Sequence, residues 1–297
     1  MTNFEALVAG WFDIAPGAVR MITDGVNKNL RVVSEHDDLF VRFSPATLHS
    51  RDELESEAAL IASLRKHDVP CHELADIDGV SVLGPETVNG IEYNVLLSRT
   101  IPGCALTTTA QDARAFGQSL AQLHRAPIEG LARTLAINVN GGDDIDPAVR
   151  VVFRDLTDLV DQLADESAAL FGICHGDGWL GNAINSDGKA VLFDFEFSGR
   201  GPLAYDIATF IWALRAEGNE DEAAIFASFV EGYRYEYDLN FSEDDMKLNL
   251  LRKEINNIRF LCQNITMSRD VKLATAKFAR ETFDFVLSGD LSRFAWA

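Results

Sequence analysis

The stretch His175–Gly199, HGDGWLGNAINSDGKAVLFDFEFSG, sets carboxylates and amides among apolar residues. An apolar strand leads into His175-Gly176-Asp177. A glycine-containing loop then reaches Asn182, and a turn at Asp187-Gly188 opens a second apolar run, AVLFDF, which carries Asp194. Read as a strand, that run puts Asp194 and Glu196 on one face and Phe195 on the other. Carboxylates in such company need a cation or hydrogen-bond donors, because unpaired burial of charge is costly. Strand, loop, turn and strand together let Asp177, Asn182 and Asp194 converge on one point. Asn185 and Asp187 read as turn residues.

The chemistry of that trio is specific. Mg²⁺ is a hard ion that takes oxygen ligands from one or two carboxylates, phosphates and water. A carboxylate beside an incoming hydroxyl can accept its proton. An amide and a second carboxylate can hold metal across nucleotide phosphates, which are the working parts of a phosphoryl-transfer enzyme.

HGDGWLGN followed by FDFE resembles the catalytic core of the aminoglycoside phosphotransferase and choline kinase superfamily, small-molecule kinases with the protein-kinase-like fold. The resemblance extends over nearly the whole chain. GVNKNLRV is similar to the family's nucleotide-covering hairpin, LLSRTIPG to its hinge, FGQSLAQLH to its first C-lobe helix, and GPLAYDIATF to the segment after the metal-binding strand. It implies ATP and Mg²⁺ as cofactors, Asp177 as catalytic base, and Asn182 and Asp194 as metal ligands. Glu196 is then either a ligand of a second Mg²⁺ or a salt-bridged or solvated carboxylate. His175 is expected to orient the loop, and Asp206 to tie down its backbone. Gly25 and Asn27 would lie over the nucleotide phosphates, with Lys28 a further cap, and the backbone at Ser98 and Thr100 would meet adenine.

Outward from this stretch, the chain divides by pattern. AVRMI, NLRVVS, LFVRFS, GVSVLGPETV and IEYNVLLSRT read as strands, with turns at Asp24-Gly25, His36-Asp38 and Asn89-Gly90. Ser50 and Glu53 have capping-box spacing and open a helix that runs to about His67. The expected fold is α+β and bilobal: residues 1–100 form a nucleotide-binding lobe of five antiparallel strands and one helix, and residues 101–297 form a mostly helical lobe with the catalytic loop. In the second part, Thr109 and Asp112 also have capping-box spacing. AVRVVFRDLTDLVDQLADESAALF reads as one long helix, and helices follow from Pro202 onward.

The first lobe offers a second line of reasoning. On the Ser50 helix, Leu54, Ala58, Ile61 and Leu64 make the apolar stripe, and Glu57 falls within it. A carboxylate on a buried face wants a cation. Arg42 is the expected partner, at a position where the family more often has a phosphate-binding Lys; Arg grips phosphate and carboxylate as a fork and is not equivalent. No G-x-x-x-x-G-K-[ST] loop and no G-x-G-x-x-G fingerprint is present.

The net charge of -20 leaves no basic stripe for nucleic acid and favours a cationic substrate. Acidic and aromatic groups suit an amine or quaternary ammonium. The candidates are Asp143, Asp144 and Asp146, then Tyr205 and Trp212, then Tyr233, Tyr235 and Tyr237. Segments around DFEFSG and PLAYDIA resemble choline, ethanolamine and homoserine kinases alike. A Ser/Thr protein kinase of the stress-response type and a non-catalytic nucleotide-binding protein are the alternatives. Four scattered cysteines suggest neither zinc site nor disulfide framework and fit a reducing, cytoplasmic setting. Phe4, Leu7, Val8 and Trp11 make the N-terminus an amphipathic helix, not a signal peptide. No run approaches the roughly 18 apolar residues of a membrane span.

Overall fold

Alternating apolar residues between short turns pair the first strands of the chain into one antiparallel sheet. The computed structural model describes residues 2–35, 37–128, 133–137, 144–163, 170–218, 221–294 and 296. It divides into two units, Met1–Gly103 and Cys104–Ala297.

Unit 1 contains α1 (Asn3–Trp11), β1 (Val19–Asp24), β2 (Lys28–Val33), β3 (Asp38–Pro45), α2 (Arg51–Lys66), β4 (Val82–Val88) and β5 (Ile91–Arg99). The sheet order is β1-β2-β3-β5-β4, and every pairing is antiparallel. Thr2 caps α1 and Ser50 caps α2, each through a complete capping box with Glu5 or Glu53. The N-terminal helix thus adds a second helix to this unit. It is held by aromatic packing: the Phe4 ring lies 5.1 Å from Phe43 and 5.3 Å from Tyr93, both edge-on, and Trp11 stacks on Phe43 at 5.6 Å.

Unit 2 begins with β6 (Cys104–Ala105), α3 (Ala110–Arg125), α4 (Arg150–Leu163) and β7 (Phe171–Cys174). It continues with β8 (Ala183–Ser186), β9 (Lys189–Leu192) and β10 (Gly199–Pro202), and closes with α5 (Ala204–Glu217), α6 (Glu222–Glu236), α7 (Glu243–Asn264) and α8 (Arg269–Ser288). Two small sheets, β6-β8-β9 and β7-β10, sit within this helical unit. The long helix expected over residues 148–171 does not reach its far end: α4 covers Arg150–Leu163, residues 164–169 lie outside the described residues, and Phe171 starts a strand. The capping box expected at Thr109 is only half made. Thr109 accepts the Asp112 N–H, but the Asp112 carboxylate turns to the Thr107 N–H and hydroxyl and to Asn185. Two helices, α3 and α6, approach backbone to backbone. A Cβ on Gly117 would lie 2.2 Å from the Phe229 carbonyl oxygen, and one on Gly232 would lie 2.0 Å from that of Arg114.

Only glycine allows that approach, so Gly232→Ala must push the helices apart. Overpacking of this kind costs about 1–3 kcal/mol. A urea melt is expected to show a loss in that range.

Candidate functional site

The loop from His175 to Asn182 is built on a buried carboxylate. Asp206, in the first turn of α5, is fully buried. Its Oδ2 accepts the His175 N–H at 2.6 Å, and its Oδ1 accepts the Gly176 N–H at 2.9 Å. The same Oδ2 lies 3.0 Å from His124 Nε2, whose Nδ1 meets the Tyr233 hydroxyl at 2.7 Å. Helices α3, α5 and α6 therefore converge on the loop through one polar chain. Gly176 has φ +84°, and a Cβ there would lie 2.2 Å from the Phe197 carbonyl oxygen. The loop can pass so close to the Phe197 turn only with glycine at this position.

The His175 side chain is also buried. Its Nε2 donates to the Phe193 carbonyl at 2.9 Å, and its ring lies 4.7 Å from Phe195. The Phe193 N–H in turn donates to the Asn182 carbonyl at 3.0 Å. These bonds set the segment carrying Asp194 beside the segment carrying Asn182. The strand expected to hold the acidic run stops at Leu192. Asp194 adopts φ 65°, in the left-handed region that a non-glycine residue enters at a cost of about 1–2 kcal/mol. Glu196 is buried in the turn that follows, where Ser198 caps the Phe195 carbonyl. Strand alternation therefore does not relate Asp194 to Glu196. Such strain concentrates at functional positions.

Asn182 spends both donors on Asp177. Its Nδ2 lies 2.9 Å from the Asp177 carbonyl and 2.9 Å from Asp177 Oδ2. Its side-chain carbonyl oxygen is an acceptor, and it and the Asp194 carboxylate are oxygen donors of the kind a hard cation could take. Among the described residues no three His, Cys, Asp or Glu side chains gather as a metal cage. A divalent ion here would complete its shell with phosphate and water, as Mg²⁺ ordinarily does.

The other oxygen of Asp177 meets a residue that sequence reading missed. Lys253 Nζ, from α7, lies 2.5 Å from Asp177 Oδ1, with side-chain exposures of 12% for Lys253 and 28% for Asp177. Burial pushes the Asp177 carboxyl up, but the Lys253 ammonium outweighs it and holds the group below its ordinary value. The Lys253 ammonium also lies 5.3 Å from the Trp212 ring centroid. Trp212 was expected to face a substrate cation; it faces this one. The Trp212 indole N–H donates to Glu254 at 2.5 Å. Tyr205, expected beside it, is buried with its hydroxyl accepting from Asn256 at 2.9 Å.

The remaining candidates are scattered. Asp144 is exposed, Asp143 lies outside the described residues, and Asp146 pairs with Lys272 at 2.7 Å. Tyr233 belongs to the His124 chain, and Tyr235 is exposed. Unit 1 brings Arg42 and Glu57 together: Arg42 Nη2 lies 2.6 Å from Glu57 Oε2, and both side chains are buried. At the first turn, Lys28 folds back onto the Gly25 carbonyl at 2.6 Å and onto Asp24 at 2.9 Å; Asn27 is half-buried beside it. The Thr100 N–H is spent on the Asp38 carbonyl at 2.9 Å. Ser98 faces Phe40 two places along the same antiparallel ladder, so its backbone pairs there too. Neither N–H is left over for a base.

The sequence profile of the phosphotransferase enzyme family (APH) matches residues 19–239. The chain belongs to that family. A protein of Deinococcus radiodurans described as uncharacterized is 26% identical, over 97% of this chain and 88% of its own. Among solved structures, a microcompartment-associated aminopropanol kinase superposes with a TM-score of 0.76 at 19% identity, covering 97% of this chain and 98% of that one. An amicoumacin kinase in complex with AMP-PNP, Ca²⁺ and its Ami ligand gives 0.71 at 18%, covering 91% and 89%. The fold is that of these kinases.

Glu254 carries a pH consequence. Burial pushes its carboxyl up to about 7 from an ordinary 4.5. Between those values the folded protein keeps a proton that the unfolded chain has released. Stability is full below the lower value and falls as pH rises toward the upper one. Urea unfolding at pH 5 and pH 8 is expected to show wild type losing on the order of 3 kcal/mol more than Glu254→Gln.

Proposed function

We propose that the chain transfers the γ-phosphoryl group of ATP to a hydroxyl of a small amine-bearing molecule, with Mg²⁺ accompanying the nucleotide. The observation that carries this reading is the Asp177 carboxylate, oriented by Asn182, which donates to one carboxylate oxygen and to the Asp177 backbone carbonyl, on a loop that Asp206 anchors. The amine rests on the net charge of -20 and on the aminopropanol kinase that shares the fold. Four free cysteines and the use of ATP fit a cytoplasmic setting.

Asp177 receives the acceptor's hydroxyl proton as the oxygen forms its new bond to the γ-phosphorus. The bond from that phosphorus to the β–γ bridging oxygen breaks, and ADP leaves with the electron pair. Lys253 on one oxygen and Asn182 on the other keep Asp177 ionised and fix its rotamer. Asn182 and Asp194 would hold the divalent ion, which when bound neutralises phosphate charge. Glu196 is the candidate for a second ion. In unit 1, Glu57 fixes the Arg42 guanidinium, which grips phosphate oxygens as a fork. The hairpin at Gly25 and Asn27 covers the phosphates, and the base meets the chain at Ser98–Thr100 through groups other than the two committed N–H donors.

Removal of a positioned general base costs about 10²–10⁴-fold. Asp177→Asn and Asp194→Ala are each expected to lower the kcat for acceptor-dependent ADP release by at least about a hundredfold, with an unchanged circular dichroism spectrum. Undiminished turnover in either variant sinks the assignment.

A further inference from the structure

Helix α7 runs alongside the loop that carries Asp177. Lys253 meets Asp177 at one level, and Phe260 meets Phe197 edge-on at 5.9 Å two turns further on. On the same face stand Asn249, Arg252 and Asn256. Asn256 donates to the Tyr205 hydroxyl and to the Ala136 carbonyl, both at 2.9 Å.

Arg252 is the anomaly on this face. The chain carries 46 acidic and 26 basic groups, so an arginine ordinarily finds a carboxylate. Arg252 is half-buried, and no carboxylate pairs with it among the described residues. Its hydrogen bond is a long one, Nη1 to Asn249 Oδ1 at 3.4 Å, and its Nε is buried with no acceptor. Burial pushes its pKa down, and the Tyr205 phenol is the group that opposes this. The neighbour of Arg252 on the helix, Lys253, contacts Asp177 at 2.5 Å, and Asn256 one turn on holds the Tyr205 hydroxyl, so this stretch of α7 borders the reacting carboxylate. A partly desolvated cation is costly unless an anion arrives to meet it. Beside it, Lys253 already fills the cation position over Trp212.

We propose that Arg252 binds a carboxylate on the phosphoryl acceptor, so that the acceptor is a small hydroxy amino acid whose alcohol faces Asp177. This rests on the kinase reading above and narrows it. The guanidinium offers two parallel donors that match a carboxylate. Lys253 turns away acceptors that would set a quaternary ammonium over Trp212, since like charges would meet there. The acceptor's own amine then lies elsewhere, and the selective group is the acid.

The test has two arms. In the first, ADP release is measured with L-homoserine, L-serine and L-threonine, and with ethanolamine, 1-amino-2-propanol and choline as partners lacking the carboxylate. A hydroxy amino acid is expected to have the highest kcat/KM. Arg252→Met is expected to raise its KM by about a hundredfold, at least about thirtyfold more than for the matching amino alcohol. Arg252→Lys keeps the charge without the fork and is expected to lose about tenfold. In the second arm, calorimetry measures binding of the same hydroxy amino acids without nucleotide, to wild type and Arg252→Met.

Preference for an amino alcohol or choline overturns the proposal and leaves the kinase reading standing. So does a KM that Arg252→Met does not change. Binding of a hydroxy amino acid that Arg252→Met abolishes, with no ADP release from any acceptor, supports the Arg252 site and overturns the kinase reading. Failure of every hydroxy amino acid to bind or turn over overturns the proposal.

Discussion

One buried carboxylate organises unit 2. Asp206 accepts two consecutive backbone N–H groups and a histidine ring, and has no access to water. Those N–H groups belong to a loop that no regular sheet or helix could satisfy. The His124–Tyr233 connection carries the same constraint into α3 and α6, which meet through glycine. The loop is therefore held from below by elements distant in sequence, and its upper surface is free to present Asp177. Charge-assisted bonds to backbone donors are among the stronger ones available, which suits a loop that must not drift.

Within unit 2, opposite pressures meet at Asp177. Burial favours the protonated acid, whereas Lys253 and Asn182 favour the anion, and the anion wins. One residue beyond Lys253 on the helix, Glu254 shows the other outcome: it is fully buried, its main donor is an indole N–H, and its carboxyl is pushed up to about 7. Lys253 favours the anion at both, but among the described residues it pairs directly only with Asp177, the less buried of the two.

Much of this could be read from the chain in advance. The strands of unit 1 follow from two-residue alternation, and Ser50 with Glu53 marks the start of α2. Glu57 stood out because it falls on an apolar helical stripe, and it pairs with Arg42. The same test applied to α7 would have singled out Glu254, which lies on the stripe of Leu251, Ile255 and Ile258. Other features depend on partners that spacing does not reveal. Lys253 lies 76 positions from Asp177, and His124 lies 82 from Asp206. The expected strand through Asp194 failed because alternation says nothing about a backbone that enters the left-handed region. Residues 148–171 were over-extended because an apolar run such as AALFGIC satisfies either period. Thr109 and Asp112 had the right spacing, yet Thr107 offered two donors where the cap offered one.

The Asn182 side chain carries a last consequence. An amide has a donor end and an acceptor end, and here the donor end is engaged twice by Asp177. The acceptor end is thereby aimed, and the group cannot rotate by half a turn without setting oxygen against oxygen. An aspartate of the same shape would have no donor end at all and would face its own charge. The position thus discriminates between two side chains that differ by one atom, on polarity alone.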